Sequence, residues 1–297
     1  MKAKRRFNIW LWVLLCVPCL LASCDHDVHN GEDEGGLSVS LTWADEADQG
    51  TEVKDVKLWI FDADKGSLIE EKHYGSTQEV ASQRFQLPEG TYRILTTTNL
   101  TEPFFISEQT RSLTNWNNIL IGLTNPKDVR NNAYFGVTDV KIDNKEGNYV
   151  VQNPIRSVLA ELTIIIENIP KGTEMSGKAL DCAWCLFPTQ KNSDGEYGLP
   201  SIEPTEVELP TLLATESTLK SEVIRLMPTI QGSPASHIYL RLQLPDKTLQ
   251  EFDITAPKMN VGGKYELRFK YEEMQPKMNL DATINGWTNL NNEVETK

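Results

Sequence analysis

The residues best equipped for chemistry are two cysteines in the second half of the chain, Cys182 and Cys185. Their C-x-x-C spacing is that of thiol–disulfide exchange and of half a zinc site. A redox pair needs a helix N-terminus to lower the thiol pKa, but residues 180–187 are predicted to form a strand, where positions i and i+3 face opposite sides about 10 Å apart. A zinc site would need two more ligands, and the sequence has no second C-x-x-C and no H-x-x-x-H. The pattern therefore favours buried or unpaired cysteines, with a disulfide across a bulge as the main alternative.

Other patterns typical of catalysis are missing from the sequence. It has no G-x-S-x-G, H-E-x-x-H or P-loop motif. Beyond residue 30 the histidines are His73 and His237, which are more typical of surface positions than of a general base. Residues 62–66 imitate the start of a calcium loop, but His73 stands where such a loop requires Glu, so a hairpin turn is the better interpretation. Acidic residues are plentiful and no pair stands out, so we expect a non-catalytic protein without a metal site.

The N-terminus has the layout of a signal peptide. Four basic residues within residues 1–6 precede an apolar run over residues 9–22, which is shorter than the roughly 20 residues of a membrane-spanning helix. The run ends in Leu21-Ala22-Ser23-Cys24, which resembles the lipobox of bacterial lipoproteins. That resemblance implies recognition of residues 21–23 by a signal peptidase, cleavage before Cys24, and acyl lipid such as palmitate on Cys24 as the one covalent group. The alternative is an ordinary secretory signal with a chance cysteine.

An acidic, polar segment follows, and we expect residues 24–36 to form a flexible tether. It resembles the surface-export signal of Bacteroidota lipoproteins, and a plain solvated spacer is the alternative. His26 and His29 are more typical of incidental residues than of a metal site on such a segment. Loss of residues 1–23 would remove four positive charges and move the formal charge from −13 to −17. Nucleic acid is therefore excluded as a partner, and acyl chains must hold the protein at the outer membrane.

Alternating apolar residues dominate the rest of the chain and predict β-strands. Val56, Leu58 and Ile60 lie on one face of such a strand, and residues 238–244, 265–271 and 280–284 alternate in the same way. Strands of this kind must pair in a sheet and bury one face against a second layer, so a β-sandwich is predicted. Short helices are candidates only at residues 110–122 and 206–222, the second weakened by Pro210.

The chain is long enough for two domains after the signal peptide (1–23) and the tether (24–36). A turn ending in Gly is followed two residues later by Tyr in both halves, at Tyr92 and at Tyr265, which indicates two related sandwiches. We place the boundary where Asn153-Pro154 should interrupt strand pairing, before a central strand over residues 158–166. The predicted domains are these: an N-terminal sandwich (37–153), a C-terminal sandwich (154–288) and a tail (289–297).

The whole chain resembles the fimbrial anchor and fimbrillin-associated lipoproteins of Bacteroidota, the FimB-like family. The resemblance implies two tandem transthyretin-like, Greek-key β-sandwich domains that act as anchors or accessory subunits of a surface fimbria, in contact with other fimbrial subunits. It is carried by the lipobox and acidic tether, then by Val56–Gly66, Leu87–Tyr92, Arg156–Leu162 and Thr283–Trp287.

Partner binding is expected through a sheet edge, where unpaired backbone groups accept a strand from a neighbouring subunit. The candidate strand is Lys277–Trp287, which is terminal and alternating, and its alternative is an ordinary last strand paired within its own domain. Its candidate contact residues are Met278, Leu280, Ala282, Ile284 and Trp287. A second hypothesis is a surface lipoprotein that binds a glycan or host ligand on exposed aromatic rings, with Trp59 first among the candidates. The tryptophans considered are Trp43, Trp59, Trp116, Trp184 and Trp287.

Overall fold

The computed structural model describes residues 35–107, 115–126, 129 and 131–274. These residues form strands with one short helix, α1 (Thr77–Ser82). Strands in the first half of the chain are β1 (Gly36–Trp43), β2 (Val56–Asp62), β3 (Leu68–Tyr74), β4 (Gly90–Thr98), β5 (Phe104–Ile106), β6 (Ile121–Leu123), β7 (Tyr134–Ile142) and β8 (Asn148–Ser157). Strands in the second half are β9 (Ala160–Glu167), β10 (Glu174–Ala183), β11 (Cys185–Lys191), β12 (Tyr197–Pro200), β13 (Pro204–Leu213), β14 (Thr218–Lys220), β15 (Ile224–Leu226), β16 (Ala235–Gln243), β17 (Leu249–Pro257) and β18 (Lys264–Lys270).

The first half folds around a sheet in the order β1-β8-β7-β4-β2-β3. Alternation along β2 buries Val56, Leu58 and Ile60 in one core cluster, as predicted. The turn after β2 is the predicted hairpin, because the amide of Gly66 donates to the carbonyl of Asp62 at 2.8 Å and φ at Gly66 is +74°. The β1–β8 pair forms one end of this sheet and packs against the rest of it, since Leu37 and Val39 belong to the same core cluster as β2.

Strand β8 corrects the prediction that Asn153-Pro154 interrupts pairing. β1 and β8 run parallel in unbroken register, with Leu41 opposite Asn153 and Thr42 opposite Pro154. Proline fits here because successive residues of a strand direct their backbone groups to opposite edges, and the amide that Pro154 lacks would point away from β1. The domain boundary after residue 153 stays a prediction.

The second half is a sandwich of two sheets. One has the order β14-β9-β15 with β18 on the other side of β9, and the other has the order β13-β10-β16-β17. Their facing side chains form one large core that includes Ile164 and Leu267 from the first sheet and Leu240 and Phe252 from the second. The predicted central strand at residues 158–166 is confirmed as β9, which is paired on both sides. The all-β tandem-sandwich prediction is confirmed.

The predicted helix over residues 206–222 is wrong, because β13 and β14 occupy this stretch. Val207 and Leu209 are buried while Glu206 and Glu208 are not, which is the period of two expected of a half-buried strand. Only residues 115–122 of the other helix candidate are described, and they contain a 3-10 turn at Trp116–Asn118 and the start of β6.

The two halves of the chain are joined by a common sheet and by an ion pair. One four-stranded sheet has the order β12-β11-β6-β5, so it takes two strands from each half. The ammonium of Lys264, at the start of β18, lies 2.7 Å from Asp45 and 3.3 Å from Asp48 after β1. Within the described ranges no helix is long and apolar enough to cross a membrane.

The recurring tyrosines have matching roles in the two halves. Tyr92 and Tyr265 are both 5% exposed. The hydroxyl of Tyr92 donates to the carbonyl of Pro88 at 2.7 Å, and the hydroxyl of Tyr265 accepts from the amide of Asn260 at 2.8 Å. Each ring therefore fixes the turn that precedes its own strand, in the manner of a tyrosine corner.

Candidate partner-binding edge

Several residues predicted to carry function lie outside the described residues. These are the lipobox Leu21, Ala22 and Ser23 with Cys24, and the strand candidates Met278, Leu280, Ala282, Ile284 and Trp287. Their roles stay predictions.

Cys182 and Cys185 are free and buried, as the spacing argument favoured. The predicted single strand is in fact two, since β10 ends at Ala183 and β11 begins at Cys185. Burial raises the pKa of Cys182 to about 12 and that of Cys185 to about 11. Thiols held in this protonated form are weak nucleophiles and weak metal ligands, so the pair has a packing role.

Three of the four described tryptophans, Trp43, Trp59 and Trp116, are buried or half-buried. Trp59, the first candidate, is only 3% exposed and packs with Phe61, Leu95 and Ile119 in a small core, so the prediction of an exposed ring is wrong. Trp116 lies beneath the guanidinium of Arg93, 4.2 Å from its ring centre.

The two remaining described rings are Trp43 on β1 and Trp184 between β10 and β11. Trp43 meets Tyr134 edge to face with ring centres 4.9 Å apart, and Trp184 is 38% exposed between β10 and β11. Trp287 lies outside the described residues.

The two described histidines contact surface carboxylates. His73 contacts Asp55 and His237 contacts Asp181, and both imidazoles are more than half exposed. In the part of the chain that the structure covers, no three His, Cys, Asp or Glu side chains gather closely enough to hold a metal ion.

The sheet edges differ in how they are protected against added strands. Proteins block exposed edges with charges, prolines, bulges or short strands. Strands β3, β13, β17 and β18 carry such features, and β5, β14 and β15 have only three residues each. The blocking residues include Glu70, Glu71 and Lys72 in β3, Pro204 and Pro210 in β13, Glu251, Asp253 and Pro257 in β17, and Glu266 and Arg268 in β18.

Strand β1 is the exception among these described edges. It has eight residues, Gly-Leu-Ser-Val-Ser-Leu-Thr-Trp, with neither a charge nor a proline. The amide of Gly36 donates to Gly147 and that of Ala44 to Ile155, so even-numbered residues face β8. Leu37 faces the other way and exchanges both of its backbone bonds with Phe85.

It follows that the backbone groups of Val39, Leu41 and Trp43 also point away from β8. No backbone bond from these three residues to another described segment is present on that side. Val39 is 0% exposed, so only Leu41 and Trp43 are accessible on that side, and these two residues are called the open edge below. A neighbouring chain could pair with it as a further strand.

A groove of about 940 Å³ runs along the open edge. It is lined by Leu41 and Trp43 of β1, by His73 and Tyr74 at the end of β3, and by residues 76–78 at the start of α1. The groove is partly apolar, which suits alternate side chains of an extended peptide.

Asn99 fixes the conformation of the loop over residues 51–55, which lines the groove. Its side chain accepts from the amide of Lys54 at 2.7 Å and donates to the carbonyl of Glu52 at 2.9 Å. The next residue, Asp55, has φ of +54°, a conformation that non-glycine residues adopt rarely unless their surroundings hold them there. The loop over residues 51–55 therefore has a fixed conformation, and the groove beside the open edge is preformed.

The sequence contained a signal for this edge that periodicity alone did not reveal. Residues 38–43 alternate Ser, Val, Ser, Leu, Thr and Trp without a charge, whereas the other long edge strands carry charges or prolines. Which strand lies at an edge depends on long-range pairing, so the signal could be interpreted only with the sheet order known.

Solved structures confirm the fold at low sequence identity. The fimbrial anchor protein Mfa2 from Porphyromonas gingivalis has a TM-score of 0.55 and 15% identity, over 79% of this chain and 90% of that one. A candidate adhesin from Bacteroides thetaiotaomicron has a TM-score of 0.54 and 11% identity, over 80% and 92%. A candidate polysaccharide-binding protein from the same organism has a TM-score of 0.53 and 10% identity, over 80% and 93%.

The fold and the open edge define the class of protein to which this chain belongs. It is an all-β protein of tandem sandwiches, and its described residues include an open, uncharged strand edge. No curated protein matches the sequence. Residues 23–293 match the fimbrillin-A associated anchor proteins Mfa1 and Mfa2, and the chain belongs to that family. Membership makes it a fimbria-associated protein of the cell envelope.

Proposed function

We propose that the protein is a surface lipoprotein of the outer membrane that serves, without catalysis, as an anchor or accessory subunit of a fimbria. Acyl chains on Cys24 attach the protein to the membrane, and residues 25–36 form a flexible tether between the lipid and the folded domains. Membership of the anchor family supports the fimbrial role, and the lipobox and acidic tether support the attachment. Several acyl chains give durable binding where one chain is marginal.

The open edge carries the second part of the proposal, strand addition. A neighbouring subunit lays an extended segment along residues 41–43 and pairs with the backbone groups of Leu41 and Trp43 that face the groove. Main-chain hydrogen bonds then give affinity, and side-chain pockets in the groove give register. The predicted strand Lys277–Trp287 is the segment that this chain would in turn offer to a neighbour.

A matched pair of variants tests strand addition at the open edge. Leu41→Pro removes the amide that faces the groove and leaves the bonds to β8, whereas Leu41→Ala removes more of the side chain but keeps the amide. Cells expressing each variant are sheared to remove loose fimbriae. The membranes are then solubilised, and the amount of fimbrial subunit that co-purifies with each variant is compared. We expect Leu41→Pro to retain little and Leu41→Ala to retain nearly the wild-type amount.

Two results would overturn strand addition at this edge. One is equal retention by both variants in proteins of matched thermal stability. The other is a wild-type protein from which no fimbrial subunit co-purifies.

Attachment is tested with labelled palmitate. The label should enter the wild type and be lost in Cys24→Ala, while Cys16→Ala and Cys19→Ala, within the apolar run, should still be labelled. Label that persists in Cys24→Ala would overturn the lipobox assignment.

Binding of a glycan is the second candidate function. Trp43 and Tyr74 line the groove together with the polar side chains of Glu52, Asp55 and His73, and aromatic rings with convergent polar groups suit sugars. One solved structure of the same fold is described as a candidate polysaccharide-binding protein. Retention on a glycan array that falls in Trp43→Ala but not in Trp184→Ala, without co-purifying fimbrial subunits, would favour this candidate over the first.

A further inference from the structure

The first and last described strands differ from all others in how they pair. β1 pairs with β8 in parallel over eight residues, and β18 pairs with β9 in parallel over seven. Every other pairing between described strands is antiparallel. The parallel pairs therefore involve the first and the last strands of the described residues.

Parallel pairing decides how such a strand responds to tension. The N-terminal end of β1 and the C-terminal end of β8 lie at opposite ends of their pair, because Gly36 is opposite Asn148 and Trp43 is opposite Ile155. Tension between these ends acts along the strands and loads the whole row of hydrogen bonds together. Tension applied at the same end of both strands would instead break the bonds one after another.

The second pair has the same geometry. Lys264 is opposite Glu161 and Lys270 is opposite Glu167, so the start of β9 and the end of β18 lie at opposite ends of that pair. Tension that enters at the start of β9 and leaves after Lys270 is again a shear load.

A short buried link joins the two pairs. β8 ends at Ser157 and β9 begins at Ala160, and the intervening Val158 and Leu159 are both 0% exposed. The hydroxyl of Ser157 accepts from the amide of Leu159 at 3.0 Å, and the amide of Val158 donates to Ala133 at 2.8 Å. The link has no slack, so tension on β8 passes directly to β9.

The inner strands of both pairs are fixed to the body. The side chain of Asn153 ties β8 to Thr96 on β4 at 3.0 Å. β9 has β14 and β15 on the side away from β18. The outer strands β1 and β18 therefore move against a fixed support.

The geometry points to a load-bearing function: β1–β8 and β9–β18 act as two shear clamps in series that carry tension between the N-terminal tether and the C-terminal segment. This inference rests on the proposed function in taking those two ends as the points that are pulled. The clamps themselves are a property of the folded chain and can be measured without a membrane or a fimbria.

Force spectroscopy on the chain from Cys24 to Lys297 tests the clamps with one protein in two pulling directions. One handle is always at the N-terminus. For shear, the second handle is at Glu273→Cys, an exposed residue just after β18. For peeling, it is at Lys145→Cys, an exposed residue in the turn before β8, close to where the amide of Gly36 donates to Gly147. Both directions load the row of hydrogen bonds between β1 and β8, and the shear direction also loads the row between β9 and β18.

We expect the first rupture force in the shear direction to be at least about twice that in the peeling direction at equal loading rate. Equal forces, or a weaker shear direction, would overturn the clamps. Circular dichroism and thermal melting of both handle variants confirm that each is folded before it is pulled. A preserved force ratio in a protein that takes up no palmitate on Cys24 would leave the clamps standing and defeat only the proposed attachment.

Discussion

Asn153 on β8 donates from its side-chain nitrogen to the hydroxyl of Thr96 on β4 at 3.0 Å, and both residues are 0% exposed. The same nitrogen lies 3.3 Å from the carbonyl of Gly136, and the amide oxygen of Asn153 accepts from Thr138 at 3.0 Å. A Cβ on Gly136 would lie 2.7 Å from the carbonyl of Pro154, so glycine is needed for β8 to approach this closely. One polar side chain thus holds the β1–β8 pair to strands β4 and β7.

Replacement of Asn153 by Ala should lower the free energy of unfolding by about 2–3 kcal/mol, because it leaves buried polar groups on β4 and β7 without a partner. Its exposed neighbour provides the control, and Gln152→Ala should change stability by less than about 0.5 kcal/mol. Urea denaturation followed by tryptophan fluorescence measures both. Equal urea midpoints for the two variants would show that the buried hydrogen bonds of Asn153 add nothing to the stability of the fold.

The contact between the halves at Arg93 predicts a response to acid. The guanidinium of Arg93 pairs with the carboxylate of Asp139 at 2.8 and 3.1 Å, and the hydroxyl of Tyr197, on β12, donates to that carboxylate at 2.7 Å. Burial alone would raise the pKa of Asp139, but the hydrogen bonds from Arg93 and Tyr197 outweigh it and hold the pKa below the usual 3.8. Above pH 3.8 the carboxylate is charged in both the folded and the unfolded chain, so the pair contributes fully.

As the pH falls from 3.8 through the lowered pKa, the unfolded chain binds the proton first and this stabilisation is lost. Asp139→Asn should therefore cost about 1 kcal/mol at neutral pH and flatten the decline in stability below pH 3.8. Asp143→Asn, at an ion pair with Lys141 that is mostly exposed, is the matched control and should leave the decline unchanged. Urea denaturation at a series of pH values gives the free energy of unfolding of each protein. If this free energy falls with pH equally in wild type and Asp139→Asn, the prediction is contradicted.

Local patterns predicted strands well where one face is buried. β2 and β16 follow their alternation, since Ile238, Leu240 and Leu242 are buried as expected. The prediction failed at residues 206–222, where a composition rich in Glu and Leu is compatible with a helix, while pairing of β13 with β10 decides the outcome. Tertiary pairing outweighed local preference there.

Trp59 was misjudged for a related reason. Lys57 on the same strand face indicated a solvated side, but the strand crosses from the surface into a second small core with Leu95 and Ile119. A face can change from solvated to buried along one strand when an adjoining segment covers part of it, and the strand alone carries no sign of that cover. The open edge of β1 escaped prediction in the same way, since its status depends on β8, a strand more than 100 residues away in the chain.

Burial of Trp59 makes a direct prediction. Trp59→Ala should lower the free energy of unfolding by about 3–5 kcal/mol, because a large side chain that is 3% exposed leaves a cavity. Trp184→Ala, at a ring that is 38% exposed, should cost less than about 1 kcal/mol. Thermal melting compares the two, and a small loss in Trp59→Ala would mean that the ring is accessible after all.

The buried thiols predict chemical inertness that depends on folding. With the pKa of Cys182 at about 12 and that of Cys185 at about 11, the thiolate fraction at pH 8 is on the order of one in a thousand or less. In a chain that begins after Cys24, iodoacetamide should therefore modify neither cysteine in the native protein and both in denaturant, as read from intact mass. A mass lower by two hydrogens in the absence of reductant would reveal a disulfide and contradict the prediction.

The same shifts make the folded chain sensitive to alkali. Since burial raises the pKa of Cys182 above the usual 9.0, the unfolded chain releases its proton first, and stability should fall as the pH rises above 9.0. Cys182→Ala removes this dependence while it keeps a small apolar side chain in the core, so its stability should decline less between neutral pH and pH 10.5 than that of the wild type. The comparison is made by urea denaturation at both pH values. An equal decline in the two proteins would mean that the thiol is already accessible to solvent in the fold, which is incompatible with its place on β10 within the large core of the second sandwich.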